Sequence, residues 1–331
     1  MAGNFFAVDR PHWQTICPAL DMNASVAYLI LARFSGYSNS TTSASVNAVE
    51  NYSEISRGRA RQAIETLLSS KKIIHVSENS FPKYDLIPGV EKPDWIWLPN
   101  QLVTGAGEET PPIERVRETS DVMTLRLFID LYHTQNLRED CGVSRSILWQ
   151  LFDREKIGQR GEFDIYGFKL THRIFRWEGP FVCHNRTLTK EEQKAGVKPA
   201  DECFSRLQRL EDSGLLEFVP YLFESDTTQA EPIHPVGMKQ TDSLEDQIGA
   251  AAHKAGLSFL TAGQQEHVKK ECFWVVPVPR HITGATIIGV ARLRYRARSR
   301  MTTSWWGELN RKGRIFLDKY QSLLTGSKER K

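Results

Sequence analysis

Apolar positions between residues 23 and 88 change their spacing in a definite order. Val26, Leu29, Ile30 and Phe34 recur at helical intervals behind Asn23, a suitable cap, and predict a helix ending near residue 34. Residues 36–42 are polar and rich in Ser and Asn. Val46 and Val49 mark a short helix that Ser43 or Ser45 can cap, and Asn51, Tyr52 and Ser53 make a turn. Ala60, Ala63, Ile64, Leu67 and Leu68 then form the apolar stripe of a further helix within residues 56–72. Two strand-length stretches, 73–76 and 84–87, follow, joined through a polar tip at 78–83.

On that further helix Gly58, Arg59, Gln62, Thr66 and Ser69 lie away from the apolar stripe, with Arg57 and Arg61 nearer its edges. Glu65 is the sole acid between Ser56 and Lys72. The helix therefore opens on a basic face relieved by one glycine. In order and charge, residues 25–88 resemble the winged helix-turn-helix superfamily. The resemblance implies that the helix enters a DNA major groove and that the two strands form a wing beside it. It designates Ser56, Arg57, Arg59, Arg61 and Gln62 as DNA contacts, with Lys83 from the wing. A bland alternative, a solvated charged face that binds nothing, has the same composition.

The pattern changes on both sides of this stretch. Residues 1–22 carry Phe5, Phe6, Trp13 and Pro18 and read as an extended arm whose aromatics pack against the chain, or equally as a partly ordered terminus. Residues 89–118 are punctuated by Pro and Gly, yet Trp95, Ile96 and Trp97 predict a strand or extended anchor within this linker. An aromatic platform for bases is the sharper reading of the two tryptophans. Residues 119–224 are expected to form a second winged-helix-like domain. A helix spans about 120–132, and Gly142, Val143 and Ser144 resemble the turn before a helix. A hairpin is expected around 159–161, with strands near 163–170 and 174–177. An amphipathic helix at 199–212 stops at Gly214 and continues as a strand. Ile64, Leu67, Ile73 and Val76 share their spacing with Leu207, Leu210, Leu216 and Val219, a short internal echo. Arg206 and Arg209 fall on the outer face of that helix, which flanking acids make less basic. Residues 225–243 read as a linker. Residues 244–331 form a basic C-terminal domain with helices near 244–255 and 311–324 and a strand at 273–278.

That last domain carries the other basic feature. Arg292, Arg294, Arg296, Arg298 and Arg300 alternate with small or apolar residues, and no Asp or Glu occurs from residue 273 to 306. In a strand these arginines share one face; in a helix they spread around it. One reading is a phosphate-tracking stripe with Trp305 and Trp306 beside it. The other is an arginine face paired by acids from elsewhere in the chain, such as Glu108, Glu109 or residues 242–246.

Bulk properties narrow the classes. The chain has 331 residues, enough for two or three domains, and a net charge of only +3, which excludes a histone-like polycation. No apolar run approaches the roughly 20 residues that span a bilayer. Five scattered cysteines do not form a disulfide framework, and a cytoplasmic setting is expected. No CxxC pair, phosphate loop or nucleophile elbow occurs, and Cys183, His184 and Cys203 lack zinc spacing. No catalytic residue, metal or cofactor is expected. No heptad seam specifies an oligomer.

The expected fold is thus α+β: tandem winged-helix-like domains followed by a basic α+β domain. The expected activity is DNA binding, most simply to duplex, in transcription regulation or replication initiation. As a whole the chain looks like DNA-binding proteins of bacterial mobile elements. RNA or a nucleoprotein complex stays open as partner. The alternative function is a protein-interaction module, an inhibitor or adaptor of a mobile element that docks on a nucleic-acid-containing complex.

Overall fold

The computed structural model describes residues 4–17, 19–76, 83–170, 190–196, 199–297 and 299–326. The strand expected at 174–177, Cys183, His184 and Arg298 lie outside them. The chain mixes helices with several small sheets and divides into two compact units. The first holds Met1–Thr134, Pro180–Leu216 and Leu293–Ser299; the second holds Gln135–Gly179, Glu217–Arg292 and Arg300–Lys331.

The first unit is built around the helix Met22–Arg33. Every residue from Ala24 to Ala32 is buried, so this helix is enclosed and not merely amphipathic. Asp21, not Asn23, caps it, accepting from the Ala24 N–H at 2.8 Å. Against it pack the helices Val46–Ser53, Arg57–Ser69 and Pro112–Glu118 and the strand Phe5–Asp9. The N-terminal segment begins extended and its aromatics pack, as expected, but it is an integral strand and helix of the unit. Phe5–Asp9 pairs antiparallel with Trp95–Pro99, the helix Arg10–Ile16 follows, and Trp13 is fully buried. Buried Asp9 joins these pieces, its carboxylate accepting from the backbone N–H groups of His12 (2.9 Å) and Asp94 (2.8 Å). Trp95 and Trp97 belong to a strand, as the anchor reading expected; Ile96 between them is buried and Trp97 is exposed.

Three two-residue strands complete the segment 23–88. Tyr84–Asp85 lies between Thr41–Thr42 and Ile74–His75 in an antiparallel sheet. Three helices and a hairpin thus follow one another in the order that the apolar spacing predicts, and the strand Thr41–Thr42 is added where that spacing gives only a polar loop. The unit also takes in the helices Val122–His133 and Pro199–Asp212, which pack on each other.

Besides the two-stranded pair Gln135–Asn136 and Gly142–Val143, the second unit contains two larger sheets. One has Phe163–Lys169 between Trp274–Pro279 and Asp153–Arg160; the other has the order Pro232–Pro235, Leu216–Phe223, Thr286–Leu293, Trp149–Leu151. The helix Leu244–Ser258 packs on Trp274–Pro279 and on the long C-terminal helix Arg300–Gly326. His234, fully buried, ties the last helix to the sheet: its Nδ1 donates to the Pro235 carbonyl, and the Tyr320 hydroxyl donates to Nε2, each at 2.8 Å. Burial lowers the imidazole to a pKa of about 4, so the ring is neutral in this network.

Several expectations do not hold. The division into units runs through residues 119–224, leaving the helix Pro199–Asp212 in the first unit and most of the strand after it in the second. The Gly142–Val143–Ser144 segment does not open a helix. Gly142–Val143 is a strand paired with Gln135–Asn136, and Trp149–Leu151 pairs with the strand Thr286–Leu293. A β-carbon on Gly142 would fall 2.2 Å from the Ala291 carbonyl oxygen, so the glycine serves a close backbone approach. The hairpin turns at Gly161 as expected, but between Asp153–Arg160 and Phe163–Lys169. The spacing shared by the two helix–strand joints does not extend to environment, since Val76 is exposed and Val219 buried. Residues 225–243 contain the strand Pro232–Pro235 and the buried Val236.

Packing in the second unit rests on a close glycine–glycine approach. A β-carbon on Gly249 would lie 1.9 Å from the Gly237 carbonyl oxygen, with backbone on both sides. Gly249→Ala is therefore expected to destabilise the protein by about 3 kcal/mol or more, through overpacking against backbone that cannot yield. Urea unfolding of wild type and variant measures this.

Candidate nucleic-acid interface

The helix Arg57–Ser69 buries Ala60, Ala63, Ile64 and Leu67. With 3.6 residues per turn, that stripe forces the opposite side outward. Ser56, Arg57, Gly58, Arg59, Arg61 and Gln62 are all exposed, as the sequence predicts. Ser56 precedes the helix without a side-chain cap bond, so its hydroxyl is not committed to the first turn. Gly58 has nothing within 4 Å of a β-carbon built on it; no side chain of the fold fills the space beside it.

The three arginines differ in their surroundings. Arg57 Nη1 donates to Asn47 Oδ1 at 2.8 Å and to Glu50 Oε2 at 3.2 Å, bracing this helix against Val46–Ser53. Arg59, Arg61 and Gln62 make no side-chain hydrogen bond or ion pair among the described residues. Glu65, one turn beyond Arg61, pairs with neither arginine. Lys83 is exposed at the base of the hairpin and lines a shallow cleft of about 530 Å³ with Gly36, Thr42, Ser43 and Ser45. The cleft opens at the start of the helix Val46–Ser53, whose Ser45 makes no side-chain cap bond either.

The turn between the two helices rests on a pair of acids. Glu54 takes a left-handed conformation, φ 51°, at the end of Val46–Ser53. Glu114, buried in the helix Pro112–Glu118, lies against it, with Arg117 and Glu118 nearby. Burial first, then the hydrogen bond and charge of Glu54, push the Glu114 carboxyl up to about 7.

The arginines at 292–300 do not form one stripe. The strand Thr286–Leu293 ends before Arg294. Arg292, largely buried, is held by Glu217 (2.8 Å) and Glu245 (2.9 Å) and lies over the Trp306 ring at 5.1 Å. Burial opposes its charge, but the carboxylates of Glu217 and Glu245 outweigh that and raise its pKa further. Arg294 reaches Glu109 at 2.6 Å, and Arg115 binds the same carboxylate at 3.5 Å. The hydroxyl of Tyr295, then Arg294 and Arg115, hold that carboxyl below its ordinary range. Pairing by Glu109 and by Glu245, within 242–246, is the arrangement the second reading of the stripe described. Arg296 is half-buried and has partners within the fold. Arg300 is exposed as the first residue of the C-terminal helix. The expected contacts on the helix Pro199–Asp212 are likewise paired: Arg206 and Arg209 share Asp121 at 2.8 and 2.9 Å.

The second unit has a larger cleft, about 730 Å³, with Arg138, Glu139, Glu308, Lys312 and Trp305 on its walls. Its charges are mixed. Arg145 at its base is buried and committed to Asp140 (2.6 Å) and to the carbonyls of Thr228 (3.0 Å) and Ala230 (2.8 Å). Among the described residues no group of three or more His, Cys, Asp or Glu could hold a metal ion. Burial pushes the thiols of Cys17 and Cys141 up to about 12, so neither is a nucleophile near neutral pH. No described helix is long and apolar enough to cross a membrane. Comparison with protein-family models, with curated proteins and with solved structures finds no match to this chain.

Two outcomes follow from these charges. Arg292→Ala leaves Glu217 and Glu245 facing each other in a half-buried site and is expected to cost about 3 kcal/mol of stability, read by urea unfolding. Glu114, with its pKa raised in the fold, contributes stability that is complete below about 4.5 and is lost as pH rises through about 7. In Glu114→Gln that decline of melting temperature between these pH values is expected to flatten.

Proposed function

We propose that residues 25–88 are a winged-helix unit that binds duplex DNA, with the helix Arg57–Ser69 lying in the major groove. Arg59, Arg61 and Gln62 face the DNA, Ser56 donates from the helix start, and Lys83 reaches a phosphate from the wing. Arg57 stays with Glu50 and Asn47 and sets the angle between the two helices. Phosphate contacts fix position on the duplex, while Gln62 or an arginine reaching a base edge discriminates sequence.

One observation carries this reading. Two arginines and a glutamine are exposed on the solvent side of one helix, Gln62 lying between Arg59 and Arg61 around the cylinder, and none of the three forms an ion pair or a side-chain hydrogen bond among the described residues. Elsewhere the chain pairs its arginines readily, as at Arg292, Arg294 and Arg206. The order helix, strand, helix, helix, hairpin supports the same reading, because in a winged helix-turn-helix the hairpin follows the DNA-contacting helix as its wing.

The test is a salt-titrated binding assay. Arg59→Ala with Arg61→Ala is expected to weaken duplex binding at least about tenfold at low salt. It should also lower the slope of log affinity against log salt by about 2, one for each phosphate no longer neutralised. Thermal stability is expected to stay near wild type, since neither side chain bonds to the fold. A wild-type chain with no affinity for duplex or single-stranded DNA at low salt contradicts the proposal.

A further inference from the structure

The arginines of residues 292–294 are committed to internal acids, but a different set of cations in the second unit is not. We infer that the solvent face of the C-terminal helix is a second phosphate-binding surface, which tracks the backbone of duplex DNA. The inference rests on the DNA-binding proposal above and extends it to the second unit.

Arg300, Ser304, Gly307, Arg311 and Arg314 follow one another in steps of four, three, four and three residues. In a helix that spacing keeps all five on one face, and all five are exposed. At 1.5 Å per residue the row is about 21 Å long, enough to pass several phosphates of one strand. None of the three arginines forms an ion pair among the described residues. Lys312, on the flank, behaves otherwise and pairs with Glu308 at 3.6 Å. Asp318, one turn beyond Arg314 on the same face, closes the row at that end.

Gly307 supplies the second observation. Glycine inside an exposed helix weakens it relative to alanine, so its presence calls for a reason. Gly313, two turns further on, has one within the fold, since a β-carbon there would meet Ile248 at 3.0 Å. Gly307 has none, because nothing lies within 4 Å of its β-carbon position. Ser304 and Gly307 together leave a shallow gap on the helix surface, with Arg300 on one side and Arg311 and Arg314 on the other. A regular polyanion fits both features: its backbone approaches the gap, and the guanidinium groups bracket its phosphates.

The experiment measures duplex binding across a salt series for the full-length chain and three sets of variants. Arg311→Ala with Arg314→Ala is expected to weaken binding at least about tenfold and to lower the salt slope by about 2. Gly307→Gln is expected to raise the melting temperature while weakening binding about threefold or more, a pairing of signs that a purely structural role does not produce. Ile315→Ser, on the edge of the row, is expected to leave DNA affinity within about twofold if phosphates are the contact. Unchanged affinity and slope in the arginine pair, or a larger loss in Ile315→Ser than in that pair, overturns this inference. If Arg59→Ala with Arg61→Ala still weakens binding in that case, the DNA-binding proposal survives alone. Absence of wild-type binding overturns both.

Discussion

The enclosed helix Met22–Arg33 is the constraint on which the candidate interface depends. Because it is buried on every side from Ala24 to Ala32, the elements around it have little freedom to rotate. The helix Arg57–Ser69 must offer it Ala60, Ala63, Ile64 and Leu67. Turning that helix by even one residue would bury a guanidinium and expose a leucine, a penalty of several kcal/mol. The outward position of Arg59, Arg61 and Gln62 is therefore a consequence of core packing and not of anything those residues do for the fold. Two small alanines on the buried stripe also let the helices approach closely, which fixes the angle at which the exposed face is presented.

The distribution of paired and unpaired arginines is the clearest pattern in the molecule. Several arginines drawn into the fold have carboxylates beside them, Glu217 and Glu245 for Arg292, Asp121 for Arg206 and Asp140 for Arg145, and exposed Arg294 pairs with Glu109. These groups hold loops and strands together, because a guanidinium removed from water requires compensation. Two helix faces carry arginines that form no ion pair among the described residues, Arg59 and Arg61 in the first unit and Arg300, Arg311 and Arg314 in the second. A net charge of +3 conceals this arrangement entirely, since paired charges cancel in the sum while exposed ones act locally.

Much of this was legible in the sequence, for identifiable reasons. The helical stripe from Ala60 to Leu68, the stop at Gly214 and the hairpin at Gly161 each come from strong local signals, namely periodicity and left-handed glycine. The exposure of Arg59, Arg61 and Gln62 followed from the same periodicity. What failed was non-local. Ile147, Leu148 and Trp149 form a short apolar run that suits helix or strand equally; in the fold Ile147 lies in a turn, and Trp149 opens the strand Trp149–Leu151, which pairs with distant Ile288–Val290. The alternation of Arg292 to Arg300 correctly suggested a strand at its beginning, but nothing local reveals that Glu109 and Glu217 meet it. The N-terminal segment looked like an arm because its partner strand, Trp95–Pro99, lies some ninety residues away. Gly307 carried no signal at all until Gly313 and Ile248 showed what a glycine with a structural reason looks like.

The outward face of one helix, meeting a polyanion, is the central claim. A photo-crosslinking side chain installed at Gln62, with the same group at exposed Glu266 of the helix Ala262–Glu271 as control, reads that encounter directly in the presence of labelled duplex. The expected result is a crosslink from position 62 that disappears as salt is raised, and none from position 266. Labelling that is absent at 62, or equal at the two positions, would contradict it.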